Sequence, residues 1–158
     1  MKRMFLHGLD PEQASEAKIL SALGVIVPAF GGSFSKRMER LRETLENSND
    51  SWMLVGTDMG GLMAAVWTMY NARQISRLIL LAPTLNRPEF IAPKKKVDTP
   101  TLLIHGTRDQ VIPHTLAKSQ AELAFNKLQT HFVDDDHRLS ATASSLDWPQ
   151  MLGLSKGG

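Results

Sequence analysis

Apolar residues recur along the chain in six short runs, at residues 3–6, 25–27, 52–55, 78–81, 101–105 and 130–133. Each is too short for a helix and is bounded by turn residues, which predicts buried strands. The segments between them carry helical spacing. Asp10 suits an N-cap, Pro11 a first turn and Gln13 a capping-box position, with Leu20 and Leu23 continuing one apolar face and Gly24 as the stop. Residues 35–46 place Met38, Leu41 and Leu45 on a common face. Residues 62–70 are apolar almost throughout and suit a buried helix, 114–126 form a further helix, and 138–146 a closing one. Strands alternating with helices predict an α/β three-layer sandwich, a mostly parallel sheet of about six strands covered on both faces. The 158 residues show no internal repeat and suffice for one core, so a single domain over 1–158 is expected.

Charge and composition narrow the function classes. A net charge of +2 gives little reason to expect nucleic acid as a partner. The one basic cluster, Lys94-Lys95-Lys96, lies in a Pro-flanked loop and reads as solvated surface. Cysteine is absent, which removes thiol nucleophiles, disulfides and Cys-based metal sites. The opening MKRMFL resembles the start of an export signal, but His7, Gly8 and Asp10 interrupt it at once. No run reaches membrane-spanning length, so a cytoplasmic protein without membrane attachment is expected.

Candidate chemistry centres on residues 52–70. An apolar strand runs into Gly56-Thr57-Asp58-Met59-Gly60-Gly61, and a buried helix follows. Strand, Gly-x-X-x-Gly and helix form the context of a nucleophile elbow, which thrusts the middle side chain out beyond the strand's carboxyl end. That middle residue is Asp58, where a serine is expected. Taken alone, Asp58 is also explained as an acid favoured by a helix N-terminus. Asp109 alone reads as a turn aspartate, and His137 as a surface residue after the acidic turn 134–136. Together with His7 they all fall just after predicted strands, so a parallel sheet would bring them to one edge. His7 reads as structural. His105 and His114 lie near that edge and His131 in a strand, without convincing ligand spacing, so no metal is expected. Ser33 and Ser35 read as caps and turn formers, and the methionines at 53, 59, 63 and 69 as core.

Four signals in order resemble an α/β-hydrolase: His7-Gly8 after the first strand, the elbow at 56–60, Gly106-Thr107-Arg108-Asp109 with Pro113, and His137 after the last strand. The chain is similar to small, lidless bacterial members; the family's earliest strands are expected to be missing, and only a loop is expected where a lid would follow residue 81. The resemblance implies a catalytic set of Asp58 at the nucleophile position, His137 as general base and Asp109 as the orienting acid. It implies an oxyanion hole from the backbone amides of Leu9 and Met59, no cofactor, and a small-molecule substrate. A lidless cleft leaves space for a partner subunit, so a homodimer is an open expectation.

The aspartate leaves the reaction open. A carboxylate attacks a saturated carbon and forms an ester that water then hydrolyses, as in the epoxide hydrolases and haloalkane or haloacid dehalogenases of this fold. Against that, Tyr70 is the sole tyrosine to assist a leaving group, and the neighbour of Asp58 is Met59. The other reading is an esterase or thioesterase site with its serine replaced. Two carboxylates flanking His137 would favour the imidazolium, a poor base, and leave a weak hydrolase or a binding module for a small molecule or protein.

Overall fold

The computed structural model describes residues 1–8 and 15–154. Five strands form one parallel sheet in sequential order: β1 (Lys2–Leu6), β2 (Trp52–Thr57), β3 (Ile75–Leu81), β4 (Thr101–Gly106) and β5 (Leu128–Val133). The helices are α1 (Ser15–Ala22), α2 (Phe34–Leu45), α3 (Met59–Tyr70), α4 (His114–Ala124), α5 (Ser140–Ser145) and α6 (Trp148–Met151).

Strand alternation divides the core into two layers. Met4, Leu6, Trp52, Leu54, Leu78, Leu80 and Leu103 point to one face and pack with Leu41 and Leu45 of α2, with α3, and with Ala117, Ala121 and Ala124 of α4. Phe5, Met53, Val55, Ile79, Leu81 and Ile104 point to the other, where Leu20 of α1, Leu139 and Trp148 meet them. Both faces of the central strands are therefore apolar, which explains why they read as unbroken hydrophobic runs. The edge strand β5 is largely exposed.

The sixth expected strand, 25–27, is reduced to one bridge between Ile26 and Met4. Ile26 N–H donates to Arg3 O (2.9 Å) and Ile26 O accepts from Phe5 N–H (2.8 Å). The pairing stops there, since Pro28 has no N–H to extend it. Several boundaries also differ. Helix α3 starts at Met59 rather than residue 62, because the glycines taken for turn are its first residues. Strand β3 starts at Ile75 rather than residue 78, the closing helix expected over 138–146 is α5, shortened to Ser140–Ser145, and α6 follows beyond the expected range. The stretch where a lid would sit, 82–100, has no helix or strand, only turns and a bridge from Val97 to Phe125. Its Leu85 and Phe90 are buried and hold it against the α2–α4 layer. The expected cap of the first helix, Asp10 to Gln13, lies outside the described residues.

Candidate active site

Asp58 follows β2 directly and precedes the first residue of α3. Its backbone sits at φ 55°, ψ −125°, unusual for a side chain with a Cβ. Hydrogen bonds hold it there. Asp58 N–H donates to Leu81 O (3.2 Å), and Asp58 O accepts from the amides of Gly61 (3.0 Å), Leu62 (3.2 Å) and Thr84 (3.2 Å). The turn requires its glycines for contact: a Cβ at Gly60 would strike the Leu6 carbonyl, and one at Gly8 would strike Asp58 Oδ2. Strands β1 and β2 thus approach α3 closely enough to seat the Asp58 carboxylate directly over Gly8.

Asp109 lies beyond β4, its side chain fully buried. Its Oδ1 accepts from the amides of Val111 (2.8 Å) and Ile112 (2.9 Å), which sets the carboxylate's orientation. His137 lies beyond β5 on a loop anchored by Asp135. Asp135 Oδ2 accepts from Thr142 N (3.0 Å) and Thr142 Oγ1 (2.8 Å), and its Oδ1 from Asp136 N (2.8 Å). The imidazole spans the two acids: Nδ1 is 2.7 Å from Asp109 Oδ2 and Nε2 is 2.9 Å from Asp58 Oδ1. Parallel strands β2, β4 and β5 deliver all three residues from their carboxyl ends to one place. The side chains of Asp58 and His137 are 29% and 20% exposed, so the Asp58–His137 edge of the site is open to solvent while Asp109 is not.

Charge follows from this geometry. The Asp58 hydrogen bond raises His137 to about 9, against an opposing effect of burial, with Asp109 adding its own hydrogen bond and charge. At neutral pH His137 is therefore an imidazolium donating through both nitrogens. Burial pushes Asp58 upward, but hydrogen bonding and charge from His137, the Met59 backbone amide and the charge of Arg87 together hold it below its ordinary value. At rest the His137 imidazolium thus faces an ionised Asp58.

The three side chains expected to act together are adjacent. Of the expected oxyanion donors, the Met59 amide interacts with the Asp58 carboxylate itself, while Leu9 lies outside the described residues. His7 is buried, its Nε2 3.0 Å from Pro28 O, consistent with a structural role at the strand end. Ser33 caps α2, its Oγ accepting from Lys36 N–H (3.3 Å). Tyr70 is exposed at the far end of α3 from Asp58 and takes no part in the site. Among the described residues no group of His, Asp and Glu is arranged to hold a metal ion. One residue that the sequence places only near this edge makes a contact the sequence reading did not foresee. His105, in β4, is fully buried against Asp109, and the signal that could have found it is its spacing of four from Asp109 across the Gly106 turn.

No protein-family model matches the chain. Mouse Protein ABHD14A is 28% identical over 140 residues, covering 75% of this chain and 54% of the relative. Rat Protein ABHD14A is 28% identical over 171 residues, covering 96% and 68%. The chain thus spans 54% of the mouse relative's length, about half. Among solved structures, mouse alpha/beta hydrolase domain-containing protein 10 superposes with a TM-score of 0.71 at 15% identity, covering 98% of this chain and 90% of that one. A monoacylglycerol lipase from Paleococcus ferrophilus superposes with a TM-score of 0.66 at 14% identity, covering 85% of each. The chain has the α/β-hydrolase fold.

Proposed function

We propose that this α/β-hydrolase-fold chain hydrolyses a small molecule by attack of the Asp58 carboxylate on a saturated carbon that bears a leaving group, an epoxide oxygen or a halide. The observation that carries the reading is His137 held between Asp58 Oδ1 at 2.9 Å and Asp109 Oδ2 at 2.7 Å. In the first step an Asp58 oxygen forms a bond to the carbon as the carbon–leaving-group bond breaks. The carboxylate is already ionised and needs no base, so an imidazolium beside it is no obstacle. With an epoxide, the His137 proton is available to the alkoxide that forms.

The second step needs His137 neutral. Esterification of Asp58 removes the carboxylate charge, and the Asp58 hydrogen bond is the largest influence holding His137 at about 9. Its proton affinity then falls toward that of an ordinary imidazole. Neutral His137, kept in the right tautomer by Asp109, takes a proton from water, which attacks the ester carbonyl carbon. The Met59 amide, which interacts with the Asp58 carboxylate, is the proposed donor to the charge that develops on the carbonyl oxygen. Collapse breaks the bond between the Asp58 carbonyl carbon and the product oxygen, which takes the proton back from His137 and leaves as an alcohol, and Asp58 returns as a carboxylate. The site thus switches its own base on after the first step.

A second reading is a binding module without turnover. It is favoured by the protonated resting His137 and by the position of the sole tyrosine, away from the site, where it cannot assist a leaving group. Incubation with a panel of epoxides, haloacids, esters and thioesters separates the two. We expect turnover of an epoxide or haloacid that drops on the order of 10³-fold or more in Asp58→Asn, before any deamidation. No turnover above background on any of the panel would favour the binding module.

A further inference from the structure

We infer that His105 is a positioning residue for the candidate site, a neutral second imidazole that fixes Asp109 from the buried side and moderates its hold on His137. This rests on the catalytic reading of Asp109 and His137, but its test does not require turnover. The His105 side chain is fully buried, as is that of Asp109. Its Nε2 lies 2.9 Å from Ile112 O and 3.0 Å from Asp109 Oδ2. Two oxygens at that distance require the proton to be on Nε2, since a bare ring nitrogen would set its lone pair against both. Nδ1 is buried with no hydrogen-bond partner among the described residues. A proton there would be a donor without an acceptor, so the ring stays neutral with Nδ1 bare.

The groups facing His105 agree with that state. Burial depresses its proton affinity most, the Ile112 carbonyl and Asp109 favour the proton, and His137 and His114 oppose a second charge. The same Asp109 Oδ2 thus receives His137 Nδ1–H from the solvent side and rests against His105 Nε2–H from within. The Ile112 link closes the arrangement: Ile112 O accepts from His105 while Ile112 N–H donates to Asp109 Oδ1. His105 therefore braces the turn that orients the acid as well as touching the acid itself. Removing the ring takes its N–H dipole from beside Oδ2, which leaves more of that oxygen's charge to His137 and binds the His137 proton more tightly.

Imidazole nitrogen NMR across a pH titration tests this on the whole protein. In the wild type we expect His105 to show a protonated Nε2 and bare Nδ1, with no titration while His137 titrates near its elevated midpoint. In His105→Leu the His137 midpoint should rise by at least half a pH unit, and in His105→Gln, whose amide N–H reaches the same oxygens, it should return to the wild-type value. A folded His105→Leu with an unmoved His137 midpoint overturns the proposal and leaves His105 as packing. If His105→Leu does not fold, the wild-type spectrum decides, and a proton found on Nδ1 of His105 at neutral pH overturns the proposal equally.

Discussion

Asp58 carries two costs at once, a backbone at φ 55°, ψ −125° and a carboxylate partly withdrawn from water. Such a backbone is of order 1–3 kcal/mol unfavourable for a residue with a Cβ. Four backbone hydrogen bonds and the His137 contact hold it in place. Its geometry also depends on a neighbour with no side chain, since a methyl at Gly8 would occupy the position of Asp58 Oδ2. Gly8→Ala should therefore push the carboxylate off His137 and cut activity by roughly 10²-fold, as expected for a misplaced reacting group. Thermal unfolding and steady-state rates on the same preparation check it. A normal rate in a folded Gly8→Ala would mean that the seat over Gly8 is not needed.

At the scale of elements, the unit that matters is β2, the turn and α3. Its tight packing against β1 rests on Gly60, where an added methyl would meet the Leu6 carbonyl, a backbone group that cannot swing aside. We expect Gly60→Ala to cost about 1–3 kcal/mol, the range for overpacking, seen as a lower denaturant midpoint. An unchanged midpoint would mean that β1 and α3 can separate freely. This unit was legible in the sequence because apolar strand, paired glycines and apolar helix agree with one another. Asp58, Asp109 and His137 were legible for a related reason: each follows a strand, and parallel strands bring their carboxyl ends to one edge. The near absence of the strand at 25–27 was harder to read, since apolar character does not reveal that Pro28 ends the ladder after one bridge. His105 was harder still. Its sign is the spacing of four from Asp109, which acquires meaning only once the chain turns beyond Gly106 and brings the ring to that acid.

For the whole molecule, the charged site links folding to pH. His137 keeps its proton up to about 9 in the folded chain, against 6.5 as its ordinary value. Its contribution is complete below about 6.5 and is lost as pH climbs through about 9, amounting to ~1–3 kcal/mol. Asp58, held below its ordinary 3.8, contributes stability above that value and loses it as pH falls through the folded value. The denaturant midpoint is therefore expected to be highest between about pH 4 and 6.5 and to decline toward pH 10. In Asp58→Asn the alkaline decline should shrink, because the strongest influence on His137 is gone. A midpoint rising from pH 7 to 10 would contradict the ion pair.

The central claim, that the Asp58 carboxylate itself is the attacking group, is tested most directly by a single turnover in heavy-oxygen water with excess enzyme over substrate. Water that attacks the ester carbonyl leaves its oxygen in the protein, so mass spectrometry of the peptide holding Asp58 should show one heavy oxygen in that side chain. Product carrying the label while Asp58 stays unlabelled would mean that water attacks the substrate directly, which contradicts a covalent Asp58 ester.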